Sequence, residues 1–321
     1  QGSYYQAKSE DFEKIKGKPW VYWLSDATLS SFELPYTVGD IAEPKVGLTT
    51  ADTDRFVRKW QEVSHEQIGF RHPSSEAAKL SDRRWFPFHK GGEFRRWYGN
   101  NEFLVNYQDD GREGKHWLVN NPNDPSTKSW SRYVRSPNSY FSPSLTWSKV
   151  SSSSFAVRFA EEGYIISDAS NGAFPPAQYI LFICGLLNSI VSKHFLSALS
   201  ASLNFFSGDI AKIPLVEPSS IVDAVVRKIL ELSRSDWDSF ETSWDFSNQP
   251  LLNPDYRQPT LKATYQKLRA HWREMTLEMQ RLEQQNNRIF IEAYGLQDEL
   301  DEKVDLNEIT LTCNPNYRYG N

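Results

Sequence analysis

Residues 261–290 read LKATYQKLRAHWREMTLEMQRLEQQNNRIF, and Leu261, Tyr265, Leu268, Trp272, Met275, Met279, Leu282, Asn286 and Ile289 recur within them at alternating spacings of four and three. Apolar residues repeating every 3.5 positions put one stripe on a long helix, so this stretch predicts a heptad seam that needs a partner. Asn286 is the polar member of the seam and is placed to fix its register. The partner is expected within the chain, with a second protein as the alternative. A helix over 220–233, with Ile221, Val225, Ile229 and Leu232 on its inner face, is one candidate. Upstream, 177–199 reads as one largely buried helix, apolar on most of its surface. Asn204 to Leu215 reads as irregular, and 237–253 as a loop-rich connector.

Ahead of these helices the pattern changes. Residues 17–48 suggest short strands and turns, punctuated by Pro19, Pro35 and Pro44. Thr50 or Asp52 is placed to cap a helix that carries Phe56, Val57, Trp60 and Val63 on one face. Phe103–Tyr107 is strand-like, Asp110-Gly111 suggests a hairpin turn, and strands are expected at 145–150, 155–159 and 163–166. The predicted class is α+β. A mixed α/β domain over 1–217 precedes a helical domain over 218–321 with its long heptad helix, and the boundary falls at Glu217-Pro218-Ser219-Ser220.

Aromatic residues make up 14% of the 321 residues, with 11 Trp, which suits a folded chain with stacking surfaces. Cys184 and Cys313 stand too far apart in context for a disulfide framework or a cysteine zinc site, and the six His residues lack ligand spacing. No metal is expected. The longest apolar run, Tyr179 to Leu187, is too short for a bilayer, so no membrane contact and a cytoplasmic location are expected. The chain opens with Gln1 and holds methionine only at Met275 and Met279, so it is read as a fragment of a longer protein or a processed product.

The net charge of −5 is unevenly placed. Residues 1–219 carry 24 basic and 24 acidic side chains, whereas 220–321 carry 12 and 17. From Pro125 to Ala160 there are Lys128, Arg132, Arg135, Lys149 and Arg158 and no acid. Salt screens each charge beyond about 8 Å, so local patches decide whether phosphates are attracted.

Catalytic signatures are near misses. Asn253-Pro254-Asp255-Tyr256 and Asn314-Pro315-Asn316-Tyr317 lack the second proline of the tetrapeptide that holds a flipped adenine, and no glycine-rich cofactor loop precedes them. Both read as turns. Asp26 with Glu43-Pro44-Lys45 is a loose imitation of a nuclease triad. More informative is His89-Lys90-Gly91-Gly92-Glu93-Phe94-Arg95-Arg96-Trp97-Tyr98-Gly99-Asn100. Its glycines allow close backbone approach to phosphate and its bases neutralise it. Its alternative reading is a turn with a cation–π pair. Ser151–Ser154, between Lys149 and Arg158, offers small hydroxyls to phosphates or base edges, or is simply a hairpin loop.

In register along the chain, KPWVYWLSD (18–26), GLTTADTDRFVRKWQEV (47–63), WFPFHKGGEFRRWYGNNEFLVNYQDDG (85–111), LTWSKVSSSSFAVRF (145–159), GLLNSIVSKHFLSAL (185–199) with SGDIAKIPL (207–215), and RIFIEAYGLQDEL (288–300) resemble one family. It is the C-terminal region of the PglX methyltransferases of BREX phage-exclusion systems. The helix followed by GDIAKIPL is shared with specificity domains of type IIG restriction-modification enzymes. Thr50-Ala51-Asp52-Thr53 departs from the Thr-Gly-Asp-Asn expected at that place, with alanine where the family has glycine.

The resemblance implies that 1–217 is a target-recognition domain and 218–321 a helical spacer. They would serve a catalytic domain that methylates adenine N6 with S-adenosylmethionine. No catalytic residue and no cofactor are expected in this chain itself. Double-stranded DNA and the protein's own N-terminal methyltransferase domain are the implied partners, with other BREX proteins or a phage DNA mimic beside them. Arg55, Lys90, Arg95, Arg96, Arg132, Arg135, Lys149 and Arg158 are the candidates for phosphate contact, and Asn100, Asn106, Ser152, Ser153 and Asn171 for base-edge contact. A module that docks other defence proteins through its heptad helix and acidic tail is the alternative.

Overall fold

The computed structural model describes residues 23–50, 52–151, 154–200 and 204–320. Most of KPWVYWLSD, together with Ala51, Ser152 and Ser153, lies outside the described residues. The chain begins with helix α1 (Asp26–Ser31), strand β1 (Tyr36–Thr37) and helix α2 (Val38–Ala42). Two short helices thus stand where strands and turns were predicted. After α3 (Thr53–Phe56), β2 (Val57–Lys59), α4 (Ser75–Leu80), β3 (Trp85–His89) and β4 (Phe103–Asn106) comes α5 (Gln108–Asn120). Strands β5 (Ser144–Ser148), β6 (Val157–Ala160), β7 (Ile165–Ile166) and β8 (Ser170–Ala173) follow. The remainder is helical apart from β9 (Pro214–Leu215): α6 (Ile180–Leu187), α7 (Ile190–Leu199), α8 (Ser207–Ile210), α9 (Ser220–Trp237), α10 (Leu261–Tyr294) and α11 (Pro315–Tyr319). The mixed α/β class and the long C-terminal helix agree with the sequence reading.

Four strands in the order β2-β4-β3-β7 form one sheet, antiparallel except for β3 beside β7. A second sheet, β6-β5-β8, is antiparallel throughout. In that sheet Leu145, Trp147, Val157 and Ala173 belong to the main core. Strand periodicity turns their neighbours Thr146, Arg158 and Gly172, which share one register, to the opposite face. A smaller core gathers Phe86, Phe88, Val105, Tyr107, Phe141 and Ile165 around the first sheet.

Asp52 caps as expected, its carboxylate accepting from the Arg55 N–H at 3.0 Å, but the helix lasts a single turn. Val57, Arg58 and Lys59 then pair with Val105, Leu104 and Phe103, so sheet pairing overrides the helical spacing. Asp109, Asp110 and Gly111 do adopt left-handed conformations, with φ of 50°, 61° and 72°, yet they open α5 instead of returning a hairpin. The single helix predicted over 177–199 is two, bent by 68° between α6 and α7. The Asn188 side-chain amide causes the break. It donates to the Val157 carbonyl and accepts from the Val157 N–H, both at 3.0 Å, while Ser189 caps α7.

The heptad helix packs within the chain, α10 against α9 and α7. Met279, Leu282 and Asn286 are buried, whereas Leu261 and Tyr265 at its start are exposed. Asn286 donates to the Gly185 carbonyl of α6 at 2.9 Å, while its buried Oδ1 accepts no hydrogen bond. Gly185 is required there: a Cβ would lie 2.8 Å from Val222 and 2.9 Å from Val226 of α9. On α9 Val225 and Ile229 are buried as expected, with Val222 and Val226 beside them, whereas Leu232 is half-buried and Ile221 exposed. Residues on both sides of 217 contribute to the main core. Among the described residues, no single helix is long and apolar enough to cross a membrane.

Candidate nucleic-acid interface

The glycine-rich stretch 89–100 turns its arginines inward. The Arg95 guanidinium donates to Asp236 at 2.9 Å, to the Tyr98 carbonyl at 2.8 Å and to Thr312 Oγ1 at 2.9 Å, and it stacks on Trp237. Arg96 bridges Glu283 at 2.6 Å and Glu308 at 2.7 Å. Trp97 Nε1 donates to the other Glu283 oxygen at 2.8 Å. Burial opposes the charge on Arg96, but the two carboxylates hold its pKa above the ordinary value. Arg158 is 1% exposed and donates to the Arg95 carbonyl at 3.3 Å. Burial, then the charge of Arg95, pulls its pKa down to about 10. These three arginines were expected on phosphates. Arg95 and Arg96 are instead held by buried acids that they would have to abandon to reach a surface ligand, and Arg158 is buried without an acid, its Nε lacking a partner.

The other expected cations remain outside. Arg55 is exposed, with its guanidinium 4.4 Å from the Trp117 ring centroid. Arg132 and Arg135 are exposed, and Lys90 and Lys149 lie half-buried over Phe103 and Phe206. Of the expected base contacts, Asn171 is buried on β8, and Asn106 is buried with its amide donating to Glu113 at 2.8 Å. Asn100, at φ 60°, donates to the Glu93 carbonyl at 3.0 Å and so closes the glycine-rich loop. Ser152 and Ser153 lie outside the described residues.

The surface that does gather exposed polar chemistry surrounds α5. Glu113 sits at its centre and accepts from Asn106, from Arg84 at 3.0 Å and from Arg55 at 3.4 Å. Partial burial opposes its ionised form, but these donors hold its carboxyl below the ordinary range. Arg58 and Arg84 both cover Trp85. Lys115 lies over Trp130, in the turn that carries Arg132 and packs against α5. An open groove of about 360 Å³ runs along the helix, lined by Asn106, Gln108, Asp109, Arg112, Glu113 and His116. Gln108, Arg112 and His116 are hidden in the sequence by Asp110-Gly111, whose type suggests a hairpin turn, and Arg84 falls outside every motif that the sequence offers. The signal available was Arg112–Val119, whose Leu118 is the buried member of a helical face.

The two near-miss tetrapeptides are capped turns: Asn253 accepts from the Asp255 N–H and Asn314 from the Asn316 N–H. Glu43 and Lys45 pair with each other at 2.7 Å, and Asp26 lies in α1. Among the described residues, no group of three or more side chains could hold a metal ion.

No family model matches the chain. It is 31% identical over 313 residues to the adenine-specific methyltransferase PglX of Lacticaseibacillus casei (strain Zhang), covering 96% of this chain and 26% of that protein. It is 32% identical over 313 residues to the adenine-specific methyltransferase BrxX of Escherichia coli O9:H4 (strain HS), covering 97% and 24%. Among solved structures, the type IIL restriction-modification enzyme MmeI in complex with DNA is similar at a TM-score of 0.48 and 14% identity, over 84% of this chain and 34% of that one. The chain spans about a quarter of the length of the curated relatives it matches. It is homologous to the C-terminal part of the PglX and BrxX adenine-specific methyltransferases.

Proposed function

We propose that this chain binds duplex DNA and selects the target site for adenine-N6 methylation in a BREX phage-defence system. The methyl transfer, with S-adenosylmethionine as donor, belongs to the remainder of the protein. The observation that carries this reading is the exposed arginine surface around α5, in a chain homologous to adenine-specific methyltransferases. Exposed guanidinium groups on a rigid sheet and helix neutralise phosphates and set register, and neighbouring amides and guanidiniums read base edges. Arg55, Lys90, Arg132, Arg135 and Lys149 form the phosphate-contacting set. Residues 1–217 supply the recognition surface, and 218–321 buttress it through Asp236, Glu283 and Glu308, which hold Arg95 and Arg96.

The test is fluorescence anisotropy of the chain with random-sequence duplexes, at low and then near-physiological salt. Salt-sensitive binding followed by enrichment of one short motif supports the reading. No binding at low salt contradicts it. A second reading, docking of another defence protein or a phage DNA mimic, has its own observation. Exposed Leu261 and Tyr265 begin α10, and exposed Leu252 lies on the wall of a 630 Å³ groove between the 238–256 connector and that helix. Pull-down of such a protein without DNA, lost on Leu261→Asp, would favour it.

A further inference from the structure

Three left-handed residues in a row, two of them aspartates, are costly unless their surroundings compensate. Here they do. Asp110 accepts from the Tyr107 hydroxyl at 2.9 Å and pairs with Lys115 at 2.5 Å, so the turn at 109–111 is held from both ends. Below it, the Asn106–Glu113–Arg84–Arg55 network fixes the floor of the groove. Gln108, Arg112 and His116 stand on this fixed base. Arg112 and His116 are both exposed and lie four apart on α5, so they project from one face of the helix. Arg112 is 77% exposed on its side chain and pairs with its neighbour Asp109 at 2.7 Å, and an exposed pair of that kind is readily exchanged for another acceptor.

We propose that Gln108, Arg112 and His116 are the residues that read base edges in the major groove. The inference rests on the DNA-recognition reading above and gives it a specific surface. An α-helix fits the major groove of B-form DNA. An arginine can donate two bonds to guanine O6 and N7, a glutamine can pair with adenine N6 and N7, and histidine adds a donor or an acceptor. Arg55, paired with Glu113 of the groove lining, and Arg132, in the turn packed against α5, are exposed cations that would meet phosphates of such a duplex. The buried amides of Asn106 and Asn171, which the sequence put forward, are replaced in this role by exposed Arg112 and His116 and by half-buried Gln108, whose amide donates to Asp82 at 3.3 Å.

The test selects bound duplexes from a random pool with the 321-residue chain and with its Gln108→Ala, Arg112→Ala and His116→Ala variants. Affinity and salt dependence are then measured on the enriched and on unrelated duplexes. The expected result is that Arg112→Ala loses roughly tenfold or more discrimination at one base pair. Affinity for unrelated duplexes should fall far less than affinity for the enriched motif, and Gln108→Ala should relax a different base pair. If all three variants enrich the wild-type motif with unchanged discrimination, the assignment is overturned while DNA recognition by the chain stands. Wild-type binding without any enriched motif also overturns it. Failure of the wild-type chain to bind any duplex removes the recognition reading and this assignment together.

Discussion

Arg96 and Glu283 are paired in the interior at 2.6 Å, and the pair joins the glycine-rich segment between β3 and β4 to the long helix α10. Both side chains are nearly excluded from solvent, and Glu283 also receives the Trp97 indole N–H. Removing one partner of such a pair strands the other charge without water. Arg96→Ala is therefore expected to destabilise the chain by about 3–5 kcal/mol. Urea denaturation followed by far-UV circular dichroism checks this. The paired replacement Arg96→Met with Glu283→Leu should be milder, because the charge left unpaired, Glu308, reaches solvent and only the Trp97 N–H loses a buried acceptor. An Arg96→Ala chain of normal stability and weakened DNA affinity would return this residue to the phosphate surface.

His89 supplies a pH dependence. It is 2% exposed and stacked on Tyr164 at 4.5 Å between ring centroids. Burial, then the charge of Arg158, pulls its pKa from 6.5 down to about 3. The unfolded chain therefore takes up the proton first as pH falls. Stability contributed by the neutral ring is complete above pH 6.5 and is lost as pH falls from there towards 3. The expected slope is about 1.4 kcal/mol per pH unit within that window from this group. Chemical denaturation between pH 7 and 4 should show a shallower fall for His89→Gln than for the parent chain, and equal slopes would refute the assignment.

Gly185 tests the packing of α6 on α9 and α10. A methyl group there would meet Asn286 Oδ1 and Val222 Cγ1, each at 2.8 Å, on two different helices. Gly185→Ala is expected to cost about 1–3 kcal/mol through overpacking, despite the better helix propensity of alanine. A thermal melt that is unchanged or raised would show that the three helices are not packed this closely.

Legibility in the sequence followed locality. The heptad spacing of 261–289 survives in α10 because a long helix with a buried stripe is decided by local periodicity. Strands β5 and β6 were legible for the same reason, through the alternation around Trp147 and Val157. The break at Asn188 was not, since it depends on an amide reaching across to Val157, 31 positions away in the chain. The fates of Arg95 and Arg96 were illegible likewise, because their carboxylates come from residues 141 and 187 positions downstream. Composition marks an arginine as a cation; only tertiary structure tells whether that cation faces solvent or a buried acid. The exposed cations Arg55, Arg132 and Arg135 were legible, whereas the groove beside them was hidden by a turn that resembles a hairpin and opens a helix.

The most direct test of the account is the salt dependence of duplex binding by the chain, compared with its Arg55→Ala/Arg132→Ala/Arg135→Ala variant and with Arg96→Met/Glu283→Leu. Each phosphate contact adds about 0.9 to the slope of log affinity against log salt. The exposed triple variant is expected to lower the slope by about two to three and to weaken all sequences alike, while the buried pair variant keeps the parent slope. An unchanged slope in the triple variant, or a lowered slope in the buried one, would contradict it.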